Sequence, residues 1–427
     1  MNLRPKLHLM TAWYGRYFYL NDLKFFLSRN VLYVVFLVLS VACWPVAKRL
    51  SLVLLMMSSR ARSVWLSRAL IRRRLPEVLN CFYADATKDG LSEQQIGGLT
   101  SRIVVIRHYK QTLSDAPIDK GILIIKFSET LDFCMRTGCI TRLAPFYFIV
   151  IEPSWAGYAL PQILALTSYQ QHNFYVECAD SEDYELLQFL DTNLIPVRIG
   201  SGNWVDFERF KPLPDTRQVH DLLLVANNNP IKRVLSFIQI FDRNPNLTGL
   251  LVCAGHGTER ERIQKLLQLF SLSNLAFSDG VSPDDLNKII NQSKYVCLMS
   301  LKEGSNRSLF ESMAAGTHAI LIDRNIGVDR SFFDGKAGSI VSQRDIAIKV
   351  REVPPNRHEI REWAEGHISP TQSVHHLVNT INETEGTLLN VDSVRGKVNA
   401  PEIAYAFEDS EFNLQLNREI LTKHLSK

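Results

Sequence analysis

From about residue 100 onward the chain alternates short β-branched runs with amphipathic stretches, and this restricts the fold more than any other feature. Arg102–Arg107 (RIVVIR), Gly121–Lys126 (GILIIK), Phe146–Ile151, Phe174–Glu177 and Ile195–Ile199 read as strands. Helix-like stretches lie near Ser128–Arg136, Tyr158–Thr167 and Ser181–Leu190. A break at Gly200–Asp215, with Gly202, Pro212 and Pro214, reads as a linker. The scheme then repeats. Strands are expected at Leu222–Ala226, Leu250–Ala254, Tyr295–Ser300 and Ala319–Asp323, with helices at Ile231–Phe241, Thr258–Leu269, Asp284–Asn291 and Ser308–Ala314. This predicts an α/β chain: two doubly wound, Rossmann-like domains with parallel sheets, over 100–202 and 216–386, facing each other across a ligand-binding cleft. Residues 387–427 show weak periodicity and form an unassigned extension. The 427 residues suffice for two or three such cores.

The first 75 residues are different in kind. Residues 31–47 carry no charge, and seventeen residues at about 1.5 Å each span roughly 25 Å, slightly short of a hydrocarbon core. Residues 1–80 hold 13 Lys/Arg against 2 acids, whereas the remainder holds 35 against 42. Arg60, Arg62, Arg68, Arg72, Arg73 and Arg74 follow the apolar run with no acid until Glu77. Such a cluster reads as contact with an anionic membrane surface, and the basic bias favours a cytoplasmic body. A single span is favoured over an interfacial helix, with a buried core helix as the plainer alternative. The acidic balance of the body argues against nucleic acid as a partner.

The seven cysteines, at 43, 81, 134, 139, 178, 253 and 297, include no paired metal-ligand spacing. Buried free thiols are the expectation, and no metal site is indicated.

The richest stretch is Ser300-Leu-Lys-Glu303-Gly304-Ser305-Asn306-Arg307-Ser308-Leu309-Phe310-Glu311-Ser-Met-Ala-Ala-Gly316, which leads from a strand into a helix. Glu303 falls in the loop and Glu311 on the helix, so the two acids can reach different parts of one ligand. Gly304, Ser305 and Asn306 are small enough for close backbone approach. The N–H groups around Arg307–Leu309 at the helix start suit a phosphate. The plainer alternative is a polar loop with one solvated and one capping acid.

These residues resemble the family-4 (group 1) retaining glycosyltransferases of the GT-B fold, whose Glu-x7-Glu motif is matched by Ser300, Glu303, Gly304, Glu311, Met313, Ala314 and Gly316. Ser312 stands where alanine is usual. Asn203-Trp-Val-Asp206-Phe-Glu-Arg-Phe210-Lys-Pro212 is similar to the family's N-G-V-D-x-x-x-F-x-P junction. Val225-Ala-Asn227-Asn-Asn-Pro230-Ile-Lys232 is similar to its V-G-R-x-x-P-x-K segment, and Ala254-Gly255-His256-Gly257 to its A-G-x-G turn. The resemblance covers about residues 195–345.

The resemblance implies transfer of a sugar from a nucleotide-sugar co-substrate to an acceptor hydroxyl with retained configuration, without metal or other cofactor. It implies Lys232 on the donor diphosphate, Glu303 on the donor sugar and Glu311 on the ribose. Ser305 through Leu309, with Gly304 and Gly255, would hold the donor. Asn227 replaces the usual second cation, for which Arg307 and Arg233 are the candidates. On the acceptor side Glu152, Trp155 and His172 are candidates. The membrane-associated arm points to a lipid-linked or membrane-delivered glycan in surface polysaccharide synthesis. Other readings are a sugar phosphorylase or epimerase of the same fold, or a non-catalytic nucleotide-sugar-binding or scaffold subunit.

Overall fold

The computed structural model describes residues 22–23, 27, 90–110, 119–153, 161–179, 181–255, 257–303, 306–399, 404–405 and 410–426. They form two compact units. One is built mainly on Val205–Ser369, and Asp22 groups with it; the other comprises the described residues from Gly90 to Trp204 and the chain from Pro370. The expected apolar helix at 31–47 lies outside the described residues. Among those described, no helix is long and apolar enough to cross a membrane.

Among its described residues, the N-terminal unit opens with α1 (Glu93–Thr100), where Ser92 and Gln95 form a reciprocal capping box. Then follow β1 (Ile103–Arg107), β2 (Gly121–Lys126), α2 (Ser128–Arg136), α3 (Cys139–Leu143) and β3 (Tyr147–Glu152). Next come α4 (Pro161–Ala165), β4 (Phe174–Glu177), α5 (Ser181–Leu190) and β5 (Leu194–Val197). The strands lie in the order β1-β2-β3-β4-β5. Between their ends the runs are almost wholly apolar because both faces are covered. Ile103, Val105, Leu123 and Ile125 pack into one core, and Val104, Ile106, Ile122 and Ile124 into another.

Pairs β2–β3, β3–β4 and β4–β5 are parallel, as expected, but β1 runs antiparallel to β2. The chain folds back on itself there. Lys110 and Asp119 exchange backbone bonds, and Arg107 grips the Asp119 carboxylate at 2.9 and 2.7 Å.

The second unit holds β6 (His220–Ala226), α6 (Val234–Arg243), β7 (Gly249–Cys253), α7 (Arg260–Phe270), β8 (Leu275–Asp279) and α8 (Pro283–Asn291). It continues with β9 (Ser293–Leu298), α9 (Arg307–Ala314), β10 (His318–Ile322), β11 (Gly338–Val341) and α10 (Arg357–His367). All six strands are parallel in the order β11-β10-β9-β6-β7-β8. The helix expected over Ile231–Phe241 is broken: Pro230–Lys232 is a 3-10 turn, and Arg233 adopts a left-handed φ of 52° before α6 begins.

The expected boundary at 386 is displaced. Helix α11 (Pro370–Glu385) belongs with the N-terminal unit, because Val374, Leu377, Val378 and Ile381 line one helical face and pack on Val104, Ile122, Phe148 and Tyr175. Each such buried side chain contributes about 1.5–3 kcal/mol, which a solvent-facing stripe would forfeit. The unassigned tail also closes on this unit. Helix α12 (Ser410–Leu425) buries Leu421 and Leu425 in its core, and the Leu91 amide donates to the Leu425 carbonyl at 2.7 Å. The expected linker is tightly packed: Trp204 is buried in one unit, and Val205 and Phe210 in the core of the other. Cys134, Cys139, Cys178, Cys253 and Cys297 are buried free thiols; Cys43 and Cys81 lie outside the described residues.

Candidate functional site

Strands β6, β7 and β8 run outward to one side of the second sheet, and β9, β10 and β11 to the other. The order therefore reverses between β6 and β9, and loops leaving their carboxyl ends diverge to leave a crevice. Ligands of open α/β sheets bind at such a point. Lys232 lies just after β6, and Glu303 just after β9.

The Asn229 side chain accepts the Ile231 amide at 3.3 Å and starts the 3-10 turn that carries Lys232. Lys232 is 8% exposed, and its ammonium donates to Glu303 Oε1. The same oxygen accepts the Ser300 hydroxyl at 2.5 Å. Glu303 is also held through its backbone, since its amide donates to the Ile326 carbonyl at 3.0 Å. Asn325 donates to the Ser300 carbonyl at 2.7 Å and fixes the start of the same loop.

At the start of α9, Asn306 is the N-cap. Its Oδ1 accepts the Leu309 amide at 3.2 Å and the Ser308 hydroxyl at 2.8 Å. The Leu309 N–H, expected to serve a phosphate, is thus taken by the cap. Asn306 is also 7% exposed, in keeping with a capping role. Glu311, two turns into the motif, is 6% exposed and has Arg307 at 3.6 Å. Burial pushes its carboxyl above the usual range, against the opposing pull of Arg307. Gly304 and Ser305 lie outside the described residues.

The turn after β7 is tied to the Lys232 loop. Asn228 Nδ2 donates to the Gly255 carbonyl at 3.1 Å, and the Glu259 amide donates to the Asn228 carbonyl at 3.0 Å. A Cβ on Gly257 would lie 2.1 Å from that Asn228 carbonyl oxygen, so only glycine fits. Asn227 is half-buried at the end of β6. Lys232, Glu303, Ser300 and the Asn227–Gly255 loops are therefore gathered at one sheet edge. Among the described residues no three His, Cys, Asp or Glu side chains group as metal ligands.

The acceptor-side candidates are not brought together. Glu152 closes β3 and His172 precedes β4; in parallel strands those positions lie at opposite ends of the sheet. Trp155 is outside the described residues. Glu152 instead joins a cluster that sequence reasoning missed. Lys397 Nζ lies 2.8 Å from Glu152 Oε2, and Trp204 Nε1 donates to Glu177 Oε1 at 3.1 Å. The Lys397 ammonium sits 4.8 Å from the Trp204 ring centroid. Glu177 is 1% exposed, and burial first, then Glu152, pushes its carboxyl up to about 8, with Lys397 pulling the other way. The one visible signal was a glutamate ending the apolar run of β4; Lys397 lay in sequence without a pattern. Gly327, beside Glu303, carried no signal either.

Residues 207–365 match the model of the family described as glycosyl transferases group 1. A comparison with curated proteins finds no match. Among solved structures, Staphylococcus aureus TarM, in complex with UDP among other ligands, is 15% identical with a TM-score of 0.46, covering 61% of this chain and 55% of that one. The chain thus spans about half the length of TarM. Sucrose-phosphate synthase from Thermosynechococcus elongatus is 14% identical, with a TM-score of 0.46 and coverage of 62% and 73%. The lipopolysaccharide outer core galactosyltransferase WaaB is 14% identical, with a TM-score of 0.43 and coverage of 76% and 83%. The motifs around Lys232, Glu303 and Glu311 fall within the matched residues, and over them this chain is similar to the glycosyl transferases group 1 family.

Proposed function

We propose that the protein transfers a glycosyl unit from a nucleotide sugar to an acceptor hydroxyl, with the anomeric configuration retained and without a metal. The observation that carries this reading is the Lys232–Glu303 pair at the reversal between β6 and β9, inside the family-matched residues. Lys232 takes the donor diphosphate and offsets the charge that builds as the nucleoside diphosphate leaves. To do so it exchanges the Glu303 carboxylate for phosphate oxygens. Glu303, released from Lys232 but still held by Ser300, then accepts hydroxyls of the donor sugar. Glu311, a buried carboxyl, takes the ribose hydroxyls, and the α9 start with Arg307 and Ser308 faces the phosphates.

The basic N-terminal arm is read as a membrane anchor, single-pass or interfacial, that keeps the body on the cytoplasmic side. A lipid-linked or membrane-delivered glycan of surface polysaccharide synthesis is then the acceptor.

The test is a thermal-shift screen of the detergent-solubilised chain against nucleoside diphosphates and nucleotide sugars, with Lys232→Ala and Glu311→Ala alongside. A ligand at 100 times its Kd adds roughly 2.7 kcal/mol of stability. A shift with one nucleotide, lost in both variants, supports the donor site. Proton NMR of a product formed from that donor then reads the anomeric configuration. Tight donor binding with no turnover over many acceptors would favour a non-catalytic subunit instead.

A further inference from the structure

Arg233 follows Lys232 directly, and its left-handed backbone turns the chain sharply into α6. Its side chain is 12% exposed and reaches the end of β9, where Nη1 donates to the Met299 carbonyl at 3.3 Å. Met299 precedes Ser300, whose hydroxyl bonds Glu303, the partner of Lys232. Two consecutive cations therefore end on one short loop at the crevice between β6 and β9.

The anion on Arg233 comes from far away in the sequence. Asp22 accepts from Nε at 3.2 and 3.1 Å and lies 3.0 Å from Nη2. Asp22 is the only acid among the first 76 residues, in an arm otherwise rich in Lys and Arg. A guanidinium does not deprotonate, and burying it without a counter-ion is unfavourable. Its planar fork accepts a carboxylate or a phosphate in the same bidentate manner.

Resting on the donor-site reading above, we propose that Arg233 is a second cation for the donor diphosphate, and that Asp22 is an intramolecular stand-in for the phosphate it displaces. Asn227 brings no charge to the site, and Arg233 supplies it from the other side of Lys232. Asp22 then competes with the donor, and apparent affinity is the intrinsic affinity multiplied by the fraction of time that the Asp22–Arg233 pair is open.

The full chain in detergent is titrated calorimetrically with uridine, guanosine and adenosine diphosphates, and the tightest binder is carried forward. Asp22→Asn is expected to bind it more tightly, by about tenfold if the pair is closed about nine-tenths of the time. Arg233→Gln is expected to bind more weakly, and adding Asp22→Asn to it should bring no gain. Unchanged or weaker binding in Asp22→Asn, while Lys232→Ala still weakens it, would overturn the proposal and leave the donor site standing. If Lys232→Ala binds as tightly as the wild type, or none of the three diphosphates binds, the donor-site reading itself fails and takes this one with it. Melting curves check that Arg233→Gln is folded; if it is not, the Asp22→Asn affinity decides alone.

Discussion

Gly327 lies against the backbone of Glu303 so closely that a Cβ at residue 327 would sit 1.5 Å from the Glu303 carbonyl oxygen. Its φ of 109° is one that side chains rarely adopt. The segment after β10 thus fixes the height of the Glu303 loop from outside the motif, through the Ile326 carbonyl and this contact.

Gly327→Ala is therefore expected to destabilise the protein by about 2–4 kcal/mol, from backbone strain together with overpacking. Sugar transfer should fall further than the unfolded fraction accounts for, because Glu303 must shift. Urea unfolding beside kcat at a temperature where the variant is folded separates the two. Near wild-type stability would show that the loop yields easily.

Lys232 and Glu303 are both mostly buried, so removing one strands the other. Lys232→Met is expected to lose about 1–3 kcal/mol, less than the full value for a completely buried pair. Adding Glu303→Gln should return part of that loss. A double-mutant cycle by chemical denaturation reads the coupling, and additive effects would mean that the pair is not an energetic unit.

Asn306 tests the two demands on the start of α9. Asn306→Ala should cost about 1 kcal/mol through the lost cap, while Asn306→Asp keeps the cap. The aspartate nevertheless puts a negative charge where the diphosphate is proposed to bind. We expect Asn306→Asp to match the wild type in melting temperature and to bind nucleoside diphosphate several-fold more weakly. Equal nucleotide affinity would move the phosphates away from this helix.

Glu177 links stability to pH. Its carboxyl is raised from an ordinary value of 4.5 to about 8 in the folded state, so between those values the native protein holds a proton that the unfolded chain has lost. That contribution is fully present below pH 4.5 and is lost as pH rises through about 8. Unfolding midpoints should fall between pH 6 and pH 8, and Glu177→Gln should flatten that slope. An unchanged slope in the variant would place the titrating group elsewhere.

The strands of the body were readable because sheets covered on both faces demand unbroken apolar runs, and every strand predicted from such a run is found within two residues at its ends. The Lys232, Glu303 and Glu311 motifs were readable for a related reason. A ligand site at strand ends confines its small and charged residues to short loops of fixed spacing. The antiparallel β1 was not readable, since a strand's pattern shows that its faces are buried and not which way its neighbour runs.

What the sequence determined by itself was thus local: periodicity, loop chemistry and the order of the two α/β units, all set within a few residues of chain. Tertiary structure alone decided that α11 packs on the N-terminal unit, that Lys397 meets Glu152 and that Asp22 meets Arg233. Those contacts join residues 211 or more apart, or assign an apolar face to one of several that would bury it. A periodic stripe states that a face must be buried and a charge that it must be paired; only the packed chain chooses the partner.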